Sequence, residues 1–333
     1  MMLSYSAFKW MARLLGGVAA MGAFALAAGT ANAATITVTT ALDEFDLSPN
    51  ATCSLREAIE SANRNSDFGG CIGIDPYGAD TIVFDTDAMG GTVITLTITT
   101  PSLGTNDDNE YRDLDVVVDQ SPSDTSAFTL TIDGGSGVTV QGDPTNWPDR
   151  VFDILTPTVP GAVAGGVRLR NLNIKFGGPI VPNFETYLLS ICRLGGGGVR
   201  HRSGGLLEVD GGTAESNTVN ANGGGICQDG GSLRLVNYTY IATNAALGGG
   251  GIYISGTANL TVTLQQNTAQ NGGGVYVSAG STVNVNSSNV NNNNANFVGY
   301  RHYDDRILVQ GIGSSANRAI LIFQQRSQGK NVQ

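Results

Sequence analysis

Between Gly195 and Val277 four glycine runs recur, each followed at once by a β-branched residue: Gly195–Gly198 before Val199, Gly223–Gly225 before Ile226, Gly248–Gly251 before Ile252, and Gly272–Gly274 before Val275. The last glycines of successive runs are 27, 26 and 23 residues apart. A period in the twenties that carries short strands marks a solenoid, in which one coil buries its apolar face only when a neighbour stacks on it. After each run the apolar residues alternate, as in Ile252 and Ile254 followed by Leu260, Val262 and Leu264. A period of two puts these on one face and turns Tyr253, Tyr276 and Thr261 to the other. The spacing therefore predicts Val199, Ile226, Ile252 and Val275 in one vertical file. Glycine suits the sharp turn before each strand because a residue without Cβ takes positive φ cheaply. A second column, Asn217, Asn244, Asn267 and Asn294, lies four to six residues before a glycine run or its equivalent at Gly299. Asparagines stacked at one turn are expected to hydrogen-bond along the axis, as in cross-β ladders.

The first 33 residues read as a secretory signal peptide. Lys9 and Arg13 precede an apolar run from Leu14 to Ala28, and Ala31-Asn32-Ala33 supplies the small residues of a cleavage site. Their removal takes the net charge from −10 to 16 bases against 28 acids. A polyanion needs a basic footprint, so nucleic acid is not an expected partner. No later stretch is apolar for the ~20 residues of a membrane helix, so no membrane span is expected in the mature chain. Four cysteines in an exported chain permit disulfides. Cys53 and Cys71 close a short local loop and are the expected pair. Cys192 and Cys227 fall in adjacent coils in different registers, where a bridge and two buried thiols both fit.

Thr35–Thr40 alternates as a first strand. The segment from Cys53 to Asn63 is the one clear helix: Ser54 and Glu57 form a capping box, and Leu55, Ala58, Ile59 and Ala62 make one apolar stripe. A short amphipathic helix is a suitable lid for the first coil of a solenoid. Strand candidates at Thr81–Phe84, Val93–Ile98, Leu114–Val118, Phe128–Ile132, Val138–Val140, Val151–Leu155 and Val167–Phe176 fill the interval before the glycine repeats. Beyond Asn294 the pattern decays, and Ile307–Val309 with Ala319–Phe323 are expected to form a C-terminal cap.

The run Ala51-Thr52-Cys53-Ser54-Leu55-Arg56-Glu57-Ala58-Ile59, with Asn63 and Phe68-Gly69-Gly70-Cys71, resembles the CSLREA segment at the N-terminus of many bacterial exported right-handed parallel β-helix proteins. The repeats, with Asn and Ala before GGGI or GGGV, resemble the GGAI-type repeats of polymorphic outer-membrane proteins and related adhesins. What these resemblances imply is an all-β, single-stranded right-handed parallel β-helix with an N-terminal capping helix. The expected layout is a signal peptide over 1–33, strand and capping helix over 34–75, β-helix over 76–299, and a cap or tail over 300–333.

Chemistry is sparse. Arg168 and Arg170 alternate with apolar neighbours, and Arg200 and Arg202 flank His201 one coil on, so these four arginines are candidates for a basic patch that binds an acidic glycan. Glu208 and Asp210 stand ready to neutralise it. Tyr253 and Tyr276, in one outward column above Cys227 and Arg200, are candidates for stacking on a sugar ring or a protein partner. Asp107, Asp108, Glu110, Asp113 and Asp115 are an acidic cluster of the kind that can hold Ca²⁺, without the spacing of a calcium loop. His201 and His302 share a register, and alternation turns both inward.

No catalytic residue and no resident metal is expected. The expected function is adhesion at an extracellular or bacterial outer-membrane surface, by contact with a glycan or a protein of a host or neighbouring cell. The alternative is a polysaccharide lyase or glycoside hydrolase acting on an acidic polysaccharide. Its mark would be Asp113, Asp115 and Arg168 converging on a cleft.

Overall fold

A computed structural model describes residues 33–72, 79–99, 109–110, 112–117, 119–120, 128–155, 163–178, 191–202 and 204–295. The expected signal peptide up to residue 32, Asp107, Asp108, His302 and the expected C-terminal cap lie outside them.

The described chain is a solenoid built mainly from one continuous fifteen-stranded parallel sheet, with a three-stranded parallel sheet and a two-stranded antiparallel pair beside it. Its long strands run through the corners of the coil and serve more than one face. On face A the rungs are Thr35–Val38, Asp80–Phe84, the first part of Leu130–Gly142, the first part of Val167–Lys175, Leu206–Asp210, the middles of Ile226–Ala242 and Ile252–Gln265, and Thr282–Val285. Face B begins at Val93–Leu96 and ends at Asn289–Asn291. Face C runs from Leu114–Val116 through Phe152–Ile154 and Val199–His201 to Val275–Val277. Leu114, Phe152, Val199, Ile226, Ile252 and Val275 form a single buried file, as the repeat spacing requires. Similar aliphatic files from the other faces fill the interior, for example Ile36, Ile82, Ile132, Leu169, Val209, Leu235, Leu260 and Val285 on face A.

Each glycine of a run has its own reason to be glycine. The ones three residues before the β-branched position, Gly196, Gly223, Gly249 and Gly272, have φ of +71, +67, +61 and +60. The last ones lie against the next coil: a Cβ on Gly198 would stand 2.6 Å from the Gly225 carbonyl oxygen, and one on Gly225 would stand 2.7 Å from that of Gly251. Phi freedom explains the glycine three residues before the strand; close backbone stacking explains the last.

The asparagine column is a buried hydrogen-bonded ladder. Asn217 Nδ2 donates to Asn244 Oδ1 (3.0 Å), Asn244 Nδ2 to Asn267 Oδ1 (2.9 Å) and Asn267 Nδ2 to Asn293 Oδ1 (2.8 Å). Each Oδ1 also accepts the backbone N–H of the asparagine one coil earlier. The last member is Asn293, not the expected Asn294, which instead pairs with Thr268 in a short strand. Immediately before each member stands a non-glycine residue in the left-handed region: Ser216, Thr243, Gln266 and Asn292.

The helix spans Leu55–Arg64, with Ser54 as N-cap and a complete capping box to Glu57. It packs on Thr35–Val38, Asp80–Phe84 and Leu114–Val116. Its polar side is buried too. Arg56 pairs with Asp43 and donates to the carbonyls of Asn109, Arg112 and Asp113. Cys53–Cys71 and Cys192–Cys227 both form disulfides. Among the described residues no helix is long and apolar enough to cross a membrane.

Candidate functional site

The four candidate arginines divide between two environments. Arg168 and Arg170 stand on the outer side of face A within a lattice of alternating charge. Up one file Arg168, Glu208 and Arg234 follow in register, and up the next Asp133, Arg170 and Asp210. Arg168 Nε donates to Glu208 Oε1 at 2.6 Å, Arg234 pairs with the other Glu208 oxygen, and Arg170 reaches Asp133 at 3.3 Å. Rungs in register put opposite charges directly above one another, the arrangement that stabilises a sheet surface. Arg168 also lies 4.0 Å over the Phe128 ring. Glu208 and Asp210 thus neutralise the pair on face A.

Arg200 and Arg202 are not part of that surface. Arg200 points outward from face C, but the turn carrying Cys192–Gly195 covers it, and its side chain is 1% exposed. Parity predicts which side of a strand a residue leaves; it does not predict what the chain later lays over that side. Arg200 Nε donates to Asp153 Oδ1 (2.8 Å) and Nη1 to the Arg193 carbonyl (3.1 Å), while Arg202 Nη2 reaches Asp153 Oδ2 (3.2 Å). A single basic patch of four arginines is therefore not assembled.

Beneath the same cover lies an ionic cluster. Arg150 donates to Asp113 Oδ2 (2.9 Å) and to the Arg193 carbonyl (3.0 Å), and Arg112 lies 3.8 Å from Asp149. Asp113, Asp149, Asp153 and Arg150 have no side-chain exposure. Burial holds the Asp113 carboxyl well above its usual range, with the Asp149 charge adding to the shift and Arg150 opposing it. Burial likewise raises Asp149 against the pull of Arg150. Asp153 goes the other way: burial would raise it, but Arg200, Arg202 and Arg150 together hold it below. Carboxyls pushed apart in this way can serve as acid and base where a substrate reaches them. Here Arg150 lies between them and the covering turn closes the outside.

Asp113, Asp115 and Asp153 bring carboxylate oxygens within 4.8 Å of one another. Ca²⁺ takes six to eight oxygen ligands. Asp113 Oδ2 and both oxygens of Asp153 are held by guanidinium groups, so half of the carboxylate oxygens of these three residues are engaged with arginine. Arg168 lies on face A with Glu208, away from Asp113 and Asp115 in the face C cluster.

Tyr253 and Tyr276 stack with ring centroids 5.0 Å apart, next to the Cys192–Cys227 disulfide. Tyr253 is buried and Tyr276 half-buried. Burial pushes the Tyr253 hydroxyl up to about 12. Inward His201 shares a file with Ile154 and Gln228.

The sequence reading missed Arg112, Asp149, Arg150 and Asp153. One signal was available: Phe152-Asp153-Ile154 alternates as Val199-Arg200-His201 does, and sets an acid in register with Arg200. Comparison of the chain with protein-family models, curated proteins and solved structures found no match in any of the three.

Proposed function

We propose that this chain is a secreted or cell-surface protein of adhesion type, a single-stranded right-handed β-helix that binds glycan or protein through its outer faces without catalysis. The Leu55–Arg64 helix caps its first coil, the segment before Ala34 is a signal peptide, and the protein acts outside the cell or at a bacterial outer-membrane surface. The resemblance to CSLREA-type and polymorphic outer-membrane proteins supports this reading, as do two disulfides.

The observation that carries it is the fate of the carboxylates. Asp113, Asp149 and Asp153, the fully buried acids with shifted pKa values, are held in ion pairs with arginines. What remains on the outside of face A is a regular, charge-balanced lattice, suited to contact along its length.

The test is incubation of the mature protein with polygalacturonate and alginate, with and without Ca²⁺, alongside a glycan and extracellular-matrix array. Binding on the array without new reducing or unsaturated ends is the expected result. Release of such ends would replace adhesion with polysaccharide cleavage.

A further inference from the structure

On face A the inward file that runs through Leu130, Val167, Leu207, Leu233 and Ala258 is aliphatic and buried at every one of those rungs. One coil below Leu130 the same position holds an acid, Asp80, which is 3% exposed. A carboxylate is costly at such a place unless a donor or a cation meets it. The residue beneath it is Ala34: the first strand lies in register on the second, with Thr35 on Thr81, and this sets Ala34 against Asp80. Ala34 is 5% exposed, and its backbone N–H donates to Asp80 Oδ1 at 3.0 Å in a buried hydrogen bond. Ala33, one residue earlier, is exposed.

The nitrogen that meets Asp80 is also the one that signal processing would free. With the segment before Ala34 as a signal peptide, the scissile bond joins Ala33 to Ala34, and a signal peptidase hydrolyses it with water. The C–N bond breaks: water gives a hydroxyl to the Ala33 carbonyl carbon and a proton to the Ala34 nitrogen. Ala33 leaves as a carboxylate, and the amine takes up the proton that this acid releases. An α-amine titrates at about 7.7–8.0, so Ala34 becomes a cation at neutral pH. A lone ammonium at a buried position is strongly destabilising. Here a carboxylate already stands within hydrogen-bonding distance of the atom that gains the charge.

We propose that Asp80 is the receptor for the α-ammonium that processing creates at Ala34, so that removal of the signal ties the first rung to the stack through a buried ion pair. A hydrogen bond from a neutral amide becomes one from a cation, which is shorter and stronger. The first strand has four residues and, among the described strands, pairs only with Asp80–Phe84, so a tie at its start guards against fraying. The cut precedes closure of the coil, because in the folded chain the nitrogen of the scissile bond is buried against Asp80. The inference rests on the signal-peptide reading above and adds the residue that senses the cut.

The full chain would be exported from a bacterial host and the start of the product read by mass spectrometry; it should begin at Ala34. Urea unfolding would then compare this product with the same chain extended at its start by Asn32-Ala33, which keeps the amide and moves the charge into solvent, each with and without Asp80→Asn. The chain that begins at Ala34 should have an unfolding constant at least ~10-fold below that of the extended one, and Asp80→Asn should bring the ratio to about 1. A second measurement needs no variant. Cyanate, which carbamoylates neutral α-amines, should modify Ala34 in the folded product at least ~10-fold more slowly than in the same product unfolded in guanidinium chloride. If the product begins at Ala34 but its amine reacts equally fast in both states, or its stability advantage survives Asp80→Asn, the receptor falls and the signal peptide stands. Cleavage at another bond has the same consequence. If the segment is not removed at all, the signal-peptide reading falls together with the receptor.

Discussion

His201 shows how one side chain sets the acid response of a coil. It stands in an inner file between Ile154 and Gln228 with no solvent exposure. Burial disfavours the imidazolium and lowers its pKa to about 4, with Asp153 pulling more weakly the other way. In the unfolded chain it titrates near 6.5. Between those values the unfolded state binds the proton and the folded state does not. The stability His201 contributes is therefore complete above pH 6.5 and falls away as pH descends toward 4, by ~3 kcal/mol in all. Asp113 has the opposite sign, because its pKa is raised: its contribution is present below 3.8 and declines as pH rises through the folded value. His201→Gln installs the residue that the same file uses one coil on. Its urea midpoint should fall less than that of the wild type between pH 7 and pH 4.5. Equal losses in the two proteins would falsify the assignment of that acid sensitivity to His201.

At the scale of an element, the asparagine ladder ties coil to coil. Asn244 accepts from the Asn217 backbone and side chain and donates to Asn267 Oδ1 and to the Ala214 carbonyl. Asn244→Ala leaves buried partners on both sides unpaired and should cost ~3 kcal/mol in denaturant unfolding. The same truncation at half-buried Asn284, whose side chain bonds that of Asn259 on the outer side of face A, should cost under ~1 kcal/mol. A comparable loss at both positions would show that the ladder does not act as a buried unit. Much of this element was legible, because stacking repeats one geometry each turn and so repeats its glycine and asparagine. Its last member was not: four asparagines stand in a row from Asn291 to Asn294, and composition cannot choose among them. Ser216, Thr243, Gln266 and Asn292 share a left-handed backbone and are all uncharged polar residues, but none is glycine, so only their place before a ladder asparagine marks the position. Period two placed Arg200 on the outer side of its strand correctly. What buries it is the turn at Cys192–Gly195 folding back over face C, and alternation carries no information about such a cover.

For the molecule as a whole, the covering turn and the repeat architecture answer to different forces. Aliphatic files and backbone ladders pass stability from each coil to its neighbours. The turn rests on the Cys192–Cys227 bridge and on the Arg193 carbonyl, which accepts from both Arg150 and Arg200. Closing a loop of 35 residues contributes about 4 kcal/mol on the chain-entropy account. The double variant Cys192→Ser/Cys227→Ser, which leaves Cys53–Cys71 intact, should therefore open the cover locally without melting the stack. Amide exchange should rise over residues 191–202 and 149–155, while Thr257–Leu260 on face A stays protected. The effect should depend on pH. Asp113 is raised by burial and ionises most readily when water reaches it, so the open form gains as pH rises. After correction for intrinsic rates, the excess exchange of the double variant over wild type should grow as pH rises above 3.8, the ordinary value of the carboxyl. If the excess is independent of pH, the cover is held by the bridge alone and the buried carboxyl contributes nothing to its opening. If exchange rises on face A as well, the turn belongs to the cooperative core and is no separate lid.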